Sequence, residues 1–205
     1  MIYDISMPIT KDVQVYKNKP DKRPTIETVA DHTTHSVHET SLSFNLHTGT
    51  HIDYPLHMIE GGATSDTERL ETLLGEAKVF DLRDVQGGIE QSDLATFDIQ
   101  NGDFVLLRTT NSDTDQFRFD FVYLAESGAR YLADHGVRGV GIDALGIERD
   151  QAGHPTHKIL LSRGILILEG LRLQDVSEGT YSFVCLPLSI PGVEAAPVRA
   201  ILMDL

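Results

Sequence analysis

Between His47 and His57 the chain reads His-Thr-Gly-Thr-His-Ile-Asp-Tyr-Pro-Leu-His, and the donors in this segment dictate how its backbone must run. Histidine nitrogens and carboxylate oxygens are what catalytic zinc and similar divalent ions take, and a site with few protein ligands keeps a position for water. His47, His51, Asp53 and His57 all carry odd numbers, so an extended strand presents them on one face. A straight strand would still hold His47 and Asp53 about 20 Å apart, at a rise of roughly 3.3 Å per residue, whereas ligands of one ion sit about 2.0–2.2 Å from it. The segment therefore has to bend. Gly49 takes positive φ without steric cost, and Pro55 is excluded from a helix interior. A helix with His47 and His51 at i and i+4 is the alternative, but no glutamate follows His47 and Thr48-Gly49-Thr50 is poor helix material. The expected form is a curved strand-to-loop segment, entered by a packed strand whose apolar face is Leu42, Phe44 and Leu46.

The remaining signals alternate between strand and helix. Ser65-Asp66-Thr67 caps an expected helix through Leu74 with Gly75 as terminator, followed by a strand from Ala77 to Leu82. A buried strand is expected over 104–109, a helix over 125–135 that stops at Gly136, and an apolar strand over 137–142. A short helix over 156–163 hands over to a strand at 165–168, and late strands are expected at 181–186 and 198–203. This rhythm predicts a single α/β domain over 1–205 with a mixed sheet. Glu169 and Asp143 fall just past strand ends, where α/β folds place their sites, though Asp143 reads as a turn or capping residue. His32, His35 and His38 have no recognisable ligand spacing, and Gly61-Gly62 reads as a turn. Tyr16, Phe44 and Tyr54 fit either an aromatic pocket or core packing.

Composition bounds the partners. A formal charge of −14 argues against a nucleic acid, whose binding requires clustered Lys and Arg. No apolar run reaches membrane-spanning length and no leader is expected, because the first residues already read as a strand. The one cysteine, Cys185, lies in an apolar run, suits a reducing cytoplasm and is an unpromising nucleophile. No G-x-S-x-G elbow supports a covalent route. The expected partner is a small-molecule substrate.

The segment from His47 to His57 resembles the signature H-x-G-T-H-x-D-x-P-x-H of the metal-dependent cyclase family, which includes bacterial kynurenine formamidases and isatin hydrolases. Ile2–Ser6, Val105–Thr109, Gly139–Asp143, Leu186–Gly192 and Pro197–Ala200 are similar to family segments as well, as is His157 followed by Gly164–Glu169. The resemblance implies a barrel-like mixed β-sheet flanked by helices. It implies that His47, His51 and Asp53 hold one ion, that Asp53, His157 and Glu169 hold a second, and that His57 is the acid/base group. Zinc is the first expectation for the divalent metal, at one or two ions per chain, with manganese as the alternative. The implied activity is hydrolysis of an arylformamide such as N-formylkynurenine, a step of tryptophan catabolism. Its rivals are a mononuclear manganese hydrolase of a cyclic amide or lactone and a metal-dependent cyclase or dehydratase. The family's habit implies a homodimer or homotetramer. Two segments depart from common family forms: Val13–Pro20 replaces an aromatic-Pro-Gly-Asp segment that shapes the pocket, and Gly170-Leu171 stands in place of Asn-Leu.

Overall fold

The computed structural model describes all 205 residues. Twelve strands, three α-helices and several 3₁₀ turns follow in chain order. They are β1 (Ile2–Asp4), β2 (Thr25–Ala30), β3 (Glu39–Ser43), β4 (His51–Asp53), β5 (Leu74–Asp81), β6 (Gly88–Ile89), α1 (Gln91–Leu94), β7 (Phe104–Arg108), β8 (Tyr123–Leu124), α2 (Glu126–Asp134), β9 (Gly139–Ile142), α3 (Pro155–Ser162), β10 (Leu166–Glu169), β11 (Gly179–Pro187) and β12 (Ala195–Met203).

The main sheet runs β1-β12-β11-β5-β7-β9-β10-β4 and closes because β4 also pairs with β12. Seven strands therefore form a mixed barrel. β5, β7, β9 and β10 are mutually parallel, and antiparallel β4, β11 and β12 complete the ring. β12 shares one edge between two partners: its first residues pair with β4 and its last with β1.

Alternation along the strands divides the core in two. Phe104 and Leu106 of β7 pack inside the barrel with Val79, Leu168, Phe183 and Leu202. Val105 and Leu107 face the other way, against Leu132 of α2 and Leu160 of α3. A strand buried on both faces reads as a continuous apolar run, which is why Phe104–Leu107 carries no polar residue. The barrel interior is narrow enough to fix the sequence of β9: a Cβ on Gly139 would stand 2.3 Å from the Phe104 ring, and one on Gly141 2.7 Å from the Leu106 side chain.

Most expected elements form, with ends moved by a few residues. The expected helix from Ser65 to Leu74 does not: two 3₁₀ turns, Ser65–Thr67 and Leu70–Leu73, stand there, and β5 begins at Leu74 with Gly75 inside it. Pairing of β5 with β11 from Leu74 onward claims Leu74 and Gly75, the expected helix end and its terminator, for the sheet. Leu42, Phe44 and Leu46 also depart from expectation. β3 pairs only with β2 in an exposed ribbon, and Leu42 is 47% exposed. β3 ends at Ser43, so Phe44 and Leu46 lie beyond it and only Leu42 of the expected face sits on a strand.

Gly139→Ala is expected to lower stability by about 1–3 kcal/mol through overpacking against Phe104. Thermal denaturation checks this, and adding Phe104→Leu should recover part of the loss, because the two positions share one contact.

Candidate metal centre

β4 carries the centre. Ile52 points into the barrel, so His51 and Asp53 point to the helix-facing side. Antiparallel pairing sets His51 opposite Glu169 and Asp53 opposite Ile167, which places Glu169 on that same side. Pro55 opens a 3₁₀ turn that brings His57 back toward Asp53, and Pro155 opens α3, whose buried face carries His157, Leu160 and Leu161. The bend at Gly49 has φ 67°, and Gly170, with φ 71°, lies so close that its Cβ would meet the Gly49 carbonyl oxygen at 2.3 Å. Thr50 Oγ1 donates to the Gly170 carbonyl at 2.6 Å and accepts from the Met7 amide at 2.7 Å, fixing the bend against the end of β10.

Asp53 stands at the middle. Its Oδ1 lies 2.9 Å from His47 Nδ1 and 3.5 Å from His51 Nε2, while its Oδ2 lies 3.8 Å from His157 Nε2 and 3.9 Å from His57 Nε2. Glu169 approaches His51 Nε2 at 3.4 Å with one oxygen and His157 Nε2 at 3.5 Å with the other. All six residues expected from the sequence are thus brought together. His51 Nδ1 contacts the Gly49 carbonyl oxygen at 3.0 Å, an arrangement that puts the proton on Nδ1 and leaves Nε2 facing the carboxylates.

His51 Nε2 and both oxygens of Asp53 are buried without a well-formed hydrogen bond. Buried polar groups are ordinarily paired, and buried charges are paired or bind metals. Two ligand atoms each about 2.1 Å from one ion at tetrahedral angles lie about 3.4 Å apart, close to the His51–Asp53 and His157–Glu169 separations. The nitrogen and oxygen donors, their spacing and the absence of a formed hydrogen bond at His51 Nε2 and Asp53 all fit a divalent metal, while Glu169 is steadied by the Ile147 amide, which donates to one of its oxygens at 2.6 Å.

Electrostatics agree with a site shaped for positive charge. Burial opposes protonation of His51, but the Glu169 and Asp53 carboxylates outweigh it and lift His51 to about 9. His157 is lifted to about 10 against its own burial by Glu148, Glu169 and Asp53. Burial pushes Glu169 upward, yet His157 and His51 hold it well below the usual carboxylate range. His57 goes the other way: burial lowers it, with His47 adding to the effect against the pull of Asp53.

Three residues near the cluster gave no signal in the sequence. Glu148, 4% exposed, accepts from the His157 amide at 3.1 Å and lies 3.2 Å from His157 Nδ1 and 2.6 Å from His154 Nδ1. Glu194 lies 3.5 Å from His47 Nε2. Glu148, His154 and Glu194 reach the cluster from loops and a helix start distant in sequence from the motif, and no spacing rule links them to it. A cavity of about 210 Å³ opens beside the centre, lined by His47, His57, His157 and Glu169 and walled by Tyr16, Lys17 and Lys22. Of the aromatic candidates, Tyr16 lines this cavity, Tyr54 is buried in the barrel and Phe44 is half-buried. Asp143 is a turn anchor: its carboxylate accepts from the Thr109 and Ser112 hydroxyls at 2.6 and 2.8 Å. His32, His35 and His38 are exposed and join no donor cluster. Cys185 is fully buried, and burial pushes its thiol up.

A closed mixed barrel with imidazoles and carboxylates gathered on its helix-facing side defines a metal-centred α/β enzyme. The chain belongs to the putative cyclase family, whose model matches residues 3–149. A kynurenine formamidase from Salinibacter ruber is 34% identical over 206 residues, spanning 99% of this chain and 97% of its own. A solved structure described as a predicted metal-dependent hydrolase from Bacillus stearothermophilus is 53% identical, covers 100% of this chain and 98% of its own, and superposes with a TM-score of 0.92. Isatin hydrolase A from Labrenzia aggregata, solved with benzyl benzoate, shares the fold with a TM-score of 0.87 at 23% identity, over 100% of this chain and 93% of its own.

Two outcomes follow from this geometry. Metal binding should release protons and strengthen as pH rises toward about 9, because the ion displaces protons that His51 and His157 otherwise keep at neutral pH; titration calorimetry in buffers of different ionisation heat measures this. Glu148→Ala should weaken metal binding by about 10–100-fold by freeing the His157 ring, as chelator competition would show.

Proposed function

We propose that this chain is a metal-dependent amidohydrolase of the arylformamidase type, acting on N-formylkynurenine or a close relative. The observation that carries the reading is Asp53: fully buried, with its two oxygens turned toward different imidazoles beside an open cavity. The kynurenine formamidase that the chain resembles along nearly its full length supports the choice of an amide substrate.

His47, His51 and Asp53 are assigned to one ion, and Asp53, His157 and Glu169 to a second. Zinc is the first choice, since imidazole and carboxylate donors at this spacing suit it, with manganese the alternative. A bound divalent ion supplies Lewis acidity, lowering the pKa of water from 15.7 to about 7 and polarising an amide carbonyl. His57 is the acid/base group. Its depressed basicity keeps the imidazole neutral at neutral pH, with Nε2 turned toward Asp53 Oδ2 and the ring at the cavity wall. There it takes the proton of the attacking water and returns one to the departing nitrogen as the carbon–nitrogen bond breaks. Asp53 and Glu169 hold the imidazoles in register, and the barrel wall behind Ile52 shields one side of the cluster from solvent.

No helix is long and apolar enough to cross a membrane. A cytoplasmic small-molecule enzyme is in keeping with the one buried, unpaired cysteine. Self-association into a homodimer or homotetramer is supported by the exposed β2–β3 ribbon, where Val29 is 56% and Leu42 47% exposed.

The test is metal analysis of the purified protein coupled to hydrolysis of N-formylkynurenine and isatin, after chelation and re-addition of zinc or manganese. About two ions per chain with formamide cleavage are expected. Cleavage of isatin alone with one ion would favour the cyclic-amide reading, and product formed without uptake of solvent oxygen would favour a cyclase or dehydratase. His51→Ala should lose both metal and turnover. His57→Ala should keep the metal while losing about 10²–10⁴-fold in rate.

A further inference from the structure

The cavity beside the centre has one wall of a different character from the rest of the chain. Thirty-one acidic residues stand against seventeen basic ones, yet four of the six lysines fall between Lys11 and Lys22. Two of them, Lys17 and Lys22, line the cavity. Their Nζ atoms stand 5.4 and 5.8 Å from the centroid of the Tyr16 ring, and that ring is wedged edge-on against Phe117 and Phe121 at 5.3 and 6.4 Å. Tyr16 is thus a fixed apolar plate with two ammonium groups around it. Lys22 has no carboxylate within ion-pairing distance, and Lys17 has only exposed Asp150, at 3.5 Å across the mouth.

The backbone is strained at the same place. Only four non-glycine residues of the chain have positive φ, and they fall in two segments facing each other across this mouth: Lys17 and Asn18 at 58° and 52°, Asp150 and His154 at 52° and 54°. Such conformations are strained and persist where the surrounding structure holds them, commonly at ligand clamps. Here one of them holds Lys17 over the cavity.

From this we infer that Lys17 and Lys22 form an anion subsite, and that the substrate carries a carboxylate on the portion away from the scissile amide, with its flat part against Tyr16. The inference rests on the amidohydrolase reading for the reacting end alone. A carboxylate suits the pair because Lys17 can exchange the exposed Asp150 for it, while Lys22 gains a partner it lacks. A cavity of about 210 Å³ admits one small aromatic amide with a short acidic arm.

The test uses the metal-loaded enzyme and a matched pair of substrates, para-formamidophenylacetate and its uncharged primary amide. Wild type should favour the carboxylate by about tenfold or more in kcat/KM, as expected for charge-assisted contacts, chiefly through KM, with the preference shrinking as salt rises. Lys22→Gln and the Lys17→Gln/Lys22→Gln double variant should bring the ratio toward one. Lys11→Gln, with the same change in net charge outside the cavity, should keep the wild-type ratio. A wild-type ratio near one, or a ratio lowered equally by Lys11→Gln, would overturn the assignment. If wild type cleaves neither compound, the reading of the reaction fails. Binding of para-aminophenylacetate against its amide, measured by calorimetry on wild type and the double variant, then still decides the subsite.

Discussion

Everything in this molecule turns on a seam three residues long. β4 is short, but it pairs with β10 on one side and β12 on the other, and only these two pairings close the barrel. Their register places His51 across from Glu169 and sends Ile52 inward while His51 and Asp53 face out. Strand faces alternate with a period of two, so a slip of one residue would bury His51 and Asp53 in the apolar interior and expel Ile52. Closure of the barrel and assembly of the site are therefore the same event. Thr50, bridging Met7 and Gly170 just before the seam, ties the amino-terminal segment into that event.

The cost of this arrangement explains its chemistry. Asp53 and Glu169 are buried together among imidazoles, and each carboxylate alone would be pushed toward its neutral form. In the protein without metal, protonated His51 and His157 provide the compensating charge. A divalent ion held by these residues would replace those protons and satisfy the ligand atoms that lack hydrogen bonds. Glu148 extends the network outward, anchoring the amide of His157 and meeting His154 at the mouth. His57 is shifted toward the neutral form by its burial, opposite to His51 and His157, although it belongs to the same motif as His51.

Around this centre the chain distributes two kinds of constraint. The barrel interior is governed by volume, as Gly139 against Phe104 shows. The cavity mouth is governed by charge and backbone strain, with Lys17 and Asp150 facing each other in left-handed conformations.

The sequence marks His47 to His57 as candidate donors, because that one local stretch concentrates ligand chemistry and turning residues. It likewise determined most strands and helices, whose periodicity is local. The apolar run at Phe104–Leu107 and the spacing of Ala129, Leu132 and Ala133 needed no knowledge of the rest of the chain. His157 and Glu169 became legible only through resemblance to a family, since nothing in their spacing binds them to the motif. What tertiary structure alone decided was non-local. It broke the expected helix into two 3₁₀ turns, took Leu74 and Gly75 into β5 and left Leu42 outside the core. It also brought Glu148, Glu194, Lys17 and Lys22 to the centre from separate parts of the chain. The physical reason is that side-chain period and turn chemistry act over a few residues, whereas strand pairing and barrel closure select neighbours more than a hundred residues apart, as His51 and Glu169 are.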